Sequence, residues 1–356
     1  MLQMTVNEAV EQALAEEMRR DPTVLIFGEG VATKRTALLA EFGALRVRNT
    51  PLAEGIIAGT AAGAAATGLR PVVDLLFAPF LCFAMDEIVN SAGKLRYLSG
   101  GQFAFPMVVL AMTGAGWGVG AQHNHNLEAW FAHCPGLKVV MPSCAADFKG
   151  LLKAAVRDDN PVLFFMDLAL GPVPGPVPEG DQIVPLGRAA IVREGHDVTL
   201  VSYAKTVGVC LEAADRLSAR GVAAEVIDLR SLKPLDEAAV LASARKTGRV
   251  VVVHEASQTC GIGAEVAALV AEHAFDALKA PVRRVTGPDA PAPASFPLEQ
   301  AFVPGVERVA AAAAGLMVPR ESQHSQHSQH SQHSEKNPLS SSSPLTSAGS
   351  IVLEHA

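Results

Sequence analysis

Thr50-Pro51-Leu52-Ala53-Glu54-Gly55-Ile56-Ile57-Ala58-Gly59-Thr60-Ala61-Ala62-Gly63, followed closely by Arg70-Pro71-Val72-Val73-Asp74-Leu75-Leu76-Phe77, decides the fold class. The first stretch has helical character, with glycines at 55, 59 and 63 falling on one stripe where another backbone can approach. The second is an apolar run that does not alternate with polar residues, as expected of a strand covered on both faces. Similar runs recur at 23–27, 105–112, 137–142 and 161–167. Helical patterns lie between them at 55–69, 80–97, 126–133 and 145–157, after a first helix over 6–20 that Pro22 ends. Strands and helices in alternation predict an α/β fold on a parallel sheet.

The stretch 168–187 holds five prolines and four glycines and reads as an interdomain linker. Beyond it the pattern restarts, with strands expected at 197–204, 223–229, 249–255 and 282–287. Helices are expected near 206–220, 236–246 and 262–278. The expected organisation is a first domain over 1–168, a linker over 169–187, a smaller α/β domain over 188–318 and a tail over 319–356. Ser322 to Ser334 is a Ser-Gln-His repeat with histidines at 324, 327, 330 and 333. Its polar, low-complexity composition predicts disorder. The repeat reads as a passive tail or an added extension, with weak capture of Zn²⁺ or Ni²⁺ as the alternative.

The 356 residues are 49% apolar and 18% charged, which suits a globular protein with ample buried surface. A formal charge of −7 argues against nucleic acid or an anionic membrane as the main partner. The N-terminal segment carries four glutamates and no apolar run, unlike a signal peptide, and no window suits a transmembrane helix. Five scattered cysteines with no metal-ligand spacing read as reduced residues of a cytoplasmic protein.

Glu54 is the only charge between Arg48 and Arg70. Two readings of it are open: a helix N-terminal acid complementing the macrodipole, or a desolvated acid whose favoured neutral form shares a proton with a buried heterocycle. Gly114-Ala115-Gly116-Trp117-Gly118-Val119-Gly120-Ala121-Gln122-His123-Asn124-His125-Asn126 follows a predicted strand, where ligands bind in open α/β sheets. Histidine is the side chain type suited to proton transfer near neutral pH, which makes His123 and His125 candidate proton donors; the alternative is an ordinary loop capping the next helix. Glu29 lies at a strand exit, and Asp86 follows an apolar helical segment that includes Phe80. Neither the dinucleotide nor the mononucleotide glycine loop is present. Gly180-Asp181 continues into Gln182, so the GDG motif that binds Mg²⁺-diphosphate in thiamine enzymes is missing too.

The segments 28–31, 49–72, 84–101, 120–143, 148–162 and 254–266 together resemble the beta subunit of the thiamine-diphosphate-dependent decarboxylating component of 2-oxo acid dehydrogenase complexes. The pyruvate, acetoin and branched-chain enzymes make up this family, and the resemblance runs from about residue 4 to 317. It implies a transketolase-like pyrimidine-binding domain, then a transketolase C-terminal domain, in an α2β2 heterotetramer serving a lipoyl-bearing acyltransferase core. The alpha subunit is expected to hold the diphosphate and Mg²⁺.

By the same resemblance Glu54 hydrogen-bonds the aminopyrimidine and promotes its imino tautomer, and Phe80 packs against that ring. His123 is placed for proton transfer and for meeting the lipoyl group. Glu29 and Asp86 belong to an acidic tunnel between paired cofactors. Asp158, Asn160 and the Ala155 backbone match a potassium site of some relatives.

The chain departs from the family at QHNHN (122–126), usually QHSQS, at Asp74, where many relatives carry Glu, and in a shortened loop after Glu29. Residues 127–133 and 157–162 look more like the pyruvate and acetoin branches than the branched-chain one. A non-catalytic scaffold binding the acyltransferase core is the competing reading, and retention of Glu54, Phe80 and His123 argues against it. A split transketolase would require sugar-phosphate-binding cations, yet 50–63 and 114–126 contain no Arg or Lys.

Overall fold

The N-terminal helix shows how the local signals act. In this computed structural model, which describes residues 1–317, Thr5 caps the helix Val6–Arg20. The Glu8 N–H donates to the Thr5 hydroxyl at 3.2 Å, and the Thr5 N–H donates to the Glu8 carboxylate at 2.8 Å, a reciprocal capping box. Val6, Ala9, Val10, Ala13, Leu14 and Met18 are buried at helical spacing. That face packs on the helix Ala145–Arg157, and Lys149 and Lys153 pair with Glu16 while Arg157 pairs with Glu17.

The first sheet has seven strands, ordered Ser231–Lys233, Lys138–Val140, Val162–Asp167, Val108–Thr113, Arg70–Phe77, Val24–Glu29 and Val47–Thr50. All its pairings are parallel except that of the edge strand Ser231–Lys233. The strands read as unbroken apolar runs because successive side chains enter different cores. Val72, Val108 and Phe164 face the core beneath the helix Val6–Arg20, whereas Val73, Val109 and Phe165 face the other. The second sheet runs Arg283–Gly287, Val250–Ser257, Val198–Ser202, Ala224–Asp228 and Ala190–Arg193, with only the last strand antiparallel.

The proline-rich stretch is tied down. Its strand Pro174–Val177 pairs with Leu2–Thr5, and the Val184 N–H donates to the Gly150 carbonyl at 3.2 Å. The edge strand Ser231–Lys233 comes from the second half of the chain, and one core joins Phe27 and Val73 with Tyr203, Ile227 and Val252. Met1–Leu316 consequently forms one compact unit. The Ser-Gln-His tail lies outside the described residues. Among the described residues, no helix is long and apolar enough to cross a membrane.

The region 80–97, expected as one helix, is three pieces. A 3-10 segment Ala78–Ala84, a π-helical segment Asp86–Ala92 and a short α-helix Gly93–Leu98 follow one another. Pro79 in the first turn and the close crossing with the helix Glu54–Ala66 account for the irregularity.

Candidate functional site

Glu54 is the first residue of the helix Glu54–Ala66, and Ala53 at the N-cap supplies no side-chain hydrogen bond. Among the described residues its carboxylate has no hydrogen-bond or ion-pair partner. It is half-buried, a correction to the apolar cleft expected from the sequence: this chain encloses the acid only partly. The glycine stripe is used in part. A Cβ at Gly55 would come 3.0 Å from the Phe83 carbonyl oxygen, and one at Gly59 would come 3.3 Å from Cγ of Glu87, so the segment 83–87 crosses the helix where those glycines lie. Gly63 meets nothing within 4 Å and opens instead onto an apolar groove of about 570 Å³ with Leu95, Leu98 and Phe103. Glu87 is thus a second carboxylate beside the start of the Glu54 helix, and the sequence did not single it out.

Two expected site residues, 43 positions apart in sequence, are in ring contact. Phe80 and His123 have ring centroids 5.4 Å apart with planes at 75°. Phe77 completes the group, 4.9 Å from His123 and 5.8 Å from Phe80, edge-on to both. A break in the strand Arg70–Phe77 brings Phe77 there. Its register with the next strand shifts between Asp74 and Phe77, Leu76 adopts φ 66°, and the Leu76 N–H donates to the Asp74 carboxylate at 3.1 Å. A left-handed leucine is strained, and such strain concentrates where a fold sets up a site. Asp74, noted in the sequence only as a departure, holds this bend.

His123 sits on a one-turn helix, Ala121–Asn124, and is partly exposed. His125 lies beyond that helix in extended backbone and takes no part in the aromatic group. Its ring is largely exposed, and such desolvation as it has lowers its pKa. The other expected acids lie on neighbouring elements, Glu29 paired in the sheet with Thr50 and Asp86 on the segment that crosses the Glu54 helix. Glu29 ends the strand Val24–Glu29 half-buried, and Asp86 is exposed and accepts a hydrogen bond from Asn90 at 2.6 Å. No hydrogen bond joins either acid to Glu54.

The expected potassium donors are already engaged. Asp158 pairs with Lys138 and accepts from the Asn160 backbone N–H and side-chain amide at 2.8 and 3.0 Å. The Asn160 side-chain oxygen accepts from Arg96 at 2.9 Å, and the Ala155 carbonyl accepts from the Asp158 N–H at 3.2 Å. Arg70 donates to the Val156 and Asp158 carbonyls at 3.1 and 3.0 Å. With three cationic side chains seated on these oxygens, the residues as placed do not fit a further cation. Among the described residues, no group of three or more His, Cys, Asp or Glu side chains could hold a metal ion.

Behind the histidine loop lies a buried polar layer that the sequence did not disclose. Glu128 is fully buried, accepts from the Tyr203 hydroxyl at 2.7 Å and leaves its Oε2 without a partner. Burial pushes its pKa up to about 7; the Tyr203 hydrogen bond opposes this and the Glu255 charge adds to it. Burial likewise raises the pKa of Asp167, against the pull of Lys205. For Lys205 itself burial works downward and is outweighed by Asp167 and Glu255, so its ammonium is held. Beside Tyr203, His254 is stacked at 5.8 Å and burial lowers its pKa to about 4, leaving it neutral.

Comparison with known proteins bears on the family and the fold. Residues 3–172 match the transketolase pyrimidine-binding domain and residues 187–309 the transketolase C-terminal domain. The chain is 46% identical over 321 residues to the mitochondrial pyruvate dehydrogenase E1 component subunit beta-2 of Oryza sativa subsp. japonica, covering 87% of this chain and 85% of that one. It is 41% identical to the acetoin:2,6-dichlorophenolindophenol oxidoreductase subunit beta of Bacillus subtilis, over 88% of this chain and 97% of the other. With the 2-oxoisovalerate dehydrogenase subunit beta of the same organism it shares 43% identity over 87% and 97% of the two chains. Among solved structures, a split-gene transketolase described as an inactive beta4 tetramer superposes with a TM-score of 0.75 at 28% identity, covering 89% of this chain and 99% of that one.

Proposed function

This chain belongs to the transketolase-like beta subunits of the thiamine-diphosphate-dependent 2-oxo acid dehydrogenases, and from that premise we propose that it supplies the pyrimidine half of a site completed by an alpha subunit. The fold and the family make it a subunit of an oxidoreductase that uses thiamine diphosphate and works with an alpha partner. The observation that carries the proposal is the aromatic group of Phe77, Phe80 and His123, packed on the element that crosses the partnerless Glu54. A half-buried carboxylate with no partner among the described residues is free to meet a ligand, and an aminopyrimidine ring is a fitting complement.

When bound, thiamine diphosphate supplies the carbon nucleophile that adds to the substrate carbonyl and the electron sink for loss of CO₂. Glu54 holds a proton at the pyrimidine ring nitrogen, in the manner of a general acid–base group. Phe80 and Phe77 orient that ring and keep water from it. His123, at the open side of the aromatic group, moves a proton to the lipoyl sulfur released when the disulfide opens. The alpha subunit holds the diphosphate and Mg²⁺, and the acyl group passes to the lipoyl arm of an acyltransferase core. Glu29 and Asp86 lie off this path as acids toward the paired site. No potassium ion enters the reading, because its donors are taken.

The substrate is pyruvate or acetoin, a choice supported by the sequence of 127–133 and 157–162. A transketolase activity is not supported, since 50–63 and 114–126 offer no cation for a sugar phosphate. The test is reconstitution with candidate alpha subunits and comparison of pyruvate, acetoin and 2-oxoisovalerate at equal concentration. Turnover highest on pyruvate or acetoin is expected, and a clear preference for 2-oxoisovalerate would overturn the assignment.

A further inference from the structure

The loop that carries His123 has little of its own to fix its shape. Gly114, Gly116, Gly118 and Gly120 take φ of 87°, 138°, 64° and 77°, and glycine loses more conformational freedom on ordering than any other residue. The Gly114 N–H donates to the Asn124 carbonyl at 3.3 Å and the His123 N–H to the Gly120 carbonyl at 3.1 Å, and the span between Gly114 and Gly120 is held by charged side chains of the second half of the chain. Glu255, in the strand Val250–Ser257 of the second sheet, accepts from the Ala115 N–H at 2.6 Å, and Lys205 donates to the Ala115 carbonyl. Both backbone groups of one loop residue are thereby held. Glu299, only 2% exposed, accepts from the Gly118 N–H at 3.1 Å through Oε2 and from the Asn124 side-chain amide at 2.9 Å through Oε1. Asn124 is buried and adjoins His123 in the one-turn helix.

We propose that Glu299, backed by Glu255 and Lys205, is a positioning residue that fixes His123 by clamping the glycine loop from the second half of the chain. The proposal rests on the reading of His123 as the group that moves the proton. A carboxylate buried against two neutral donors is expensive to keep in the fold. Its partners here are one loop amide and the residue next to His123, so what it organises is the loop. Charge-assisted hydrogen bonds are the strong kind and suit a clamp. Displacing a reacting group by about 1 Å can lower turnover on the order of 10²-fold.

The experiment uses the assembled enzyme with its alpha subunit. In Glu299→Ala, hydrogen exchange at the Gly118 amide is expected to quicken about tenfold or more, following loss of a hydrogen bond to a charged group. Lipoyl-linked turnover should fall about 10²-fold with little change in KM for the 2-oxo acid. Glu299→Gln should recover much of it, since its oxygen still accepts from Gly118 and the Asn124 amide can turn to match its NH₂. The double variant with His123→Ala should be far less slowed than the product of the two single losses, since only the partial contribution of His125 in the same loop remains to be lost. Should Glu299→Ala fail to assemble, Glu299→Asp, which withdraws the carboxylate by one methylene, should show the same non-additivity at a smaller loss. Unchanged exchange at Gly118, or losses that multiply with those of His123→Ala, would overturn the proposal. Near-normal turnover in His123→Ala would overturn the underlying reading and the proposal with it, even where exchange shows the loop released.

Discussion

Replacing Glu128 with Gln should stabilise the protein at alkaline pH and do much less at pH 5. The Glu128 side chain is fully buried and burial carries its pKa from 4.5 to about 7. In the unfolded chain the acid releases its proton near 4.5, whereas in the folded chain it holds it until about 7. Between those values the folded state binds more protons, so stability falls as pH rises and levels off above pH 7. At about 1.4 kcal/mol per unit, the 2.5-unit gap (7 − 4.5) corresponds to roughly 3 kcal/mol lost by pH 8. Gln keeps an oxygen to accept from the Tyr203 hydroxyl and has no charge to bury. The stability difference, variant minus wild type, should therefore grow by a few kcal/mol between pH 5 and pH 8. Asp167, and Asp228, whose pKa burial likewise raises to about 7, titrate in both proteins and cancel in that difference. Melting temperatures of the two assembled enzymes, measured at half-unit steps from pH 5 to 8.5, should diverge by several degrees. Parallel curves would refute the reasoning by showing that Glu128 ionises in the folded protein as freely as in the unfolded one.

His123→Ala should lower lipoyl-linked turnover on the order of 10²–10⁴-fold, the usual span for a general acid–base group, and leave thiamine diphosphate affinity nearly intact. Titration calorimetry of the assembled enzyme checks the second half, and an equal loss of affinity would place the ring on the cofactor. His125→Ala should be milder and the double variant worse than either, as steady-state rates will reveal, because a ring two residues on in the same loop can partly substitute. Removing residues 319–356 should leave melting temperature and activity unchanged, since that Ser-, Gln- and His-rich stretch has no apolar periodicity; a fall in either would mean that it docks on the body.

How far the sequence reached depended on whether a feature was local. The helix Val6–Arg20 was readable because Pro22 marks its end, while its capping box of Thr5 and Glu8 came from the structure. The central strands were readable because burial on both faces leaves unbroken Val, Leu and Ile. The edge strand Ser231–Lys233 was not, being three residues long and defined only by its partner Lys138–Val140. Phe80 and His123 could be named from a family pattern, but their ring contact depends on the left-handed Leu76, which nothing in RPVVDLLF announces. The clamp was beyond local reading. Glu255 and Glu299 lie 140 and 181 residues from the loop amides they hold, and each resembles any acid near the end of a strand or on a short helix. The enclosure of Glu54 was overread, because the apolar surface expected around it is only partly present in this chain.

The central claim is that this chain contributes the pyrimidine half of a shared site through Glu54. Glu54→Gln keeps the shape and a hydrogen-bonding group while removing the titratable proton. The most direct measurement is decarboxylation and subunit association for Glu54→Gln mixed with the alpha partner, alongside thiamine diphosphate binding by this chain alone. The account predicts turnover reduced roughly 10²–10⁴-fold, a heterotetramer that still assembles, and no tight binding of Mg²⁺-thiamine diphosphate by the isolated chain. Near-normal turnover in the Gln variant, or tight cofactor binding without the alpha subunit, would contradict it.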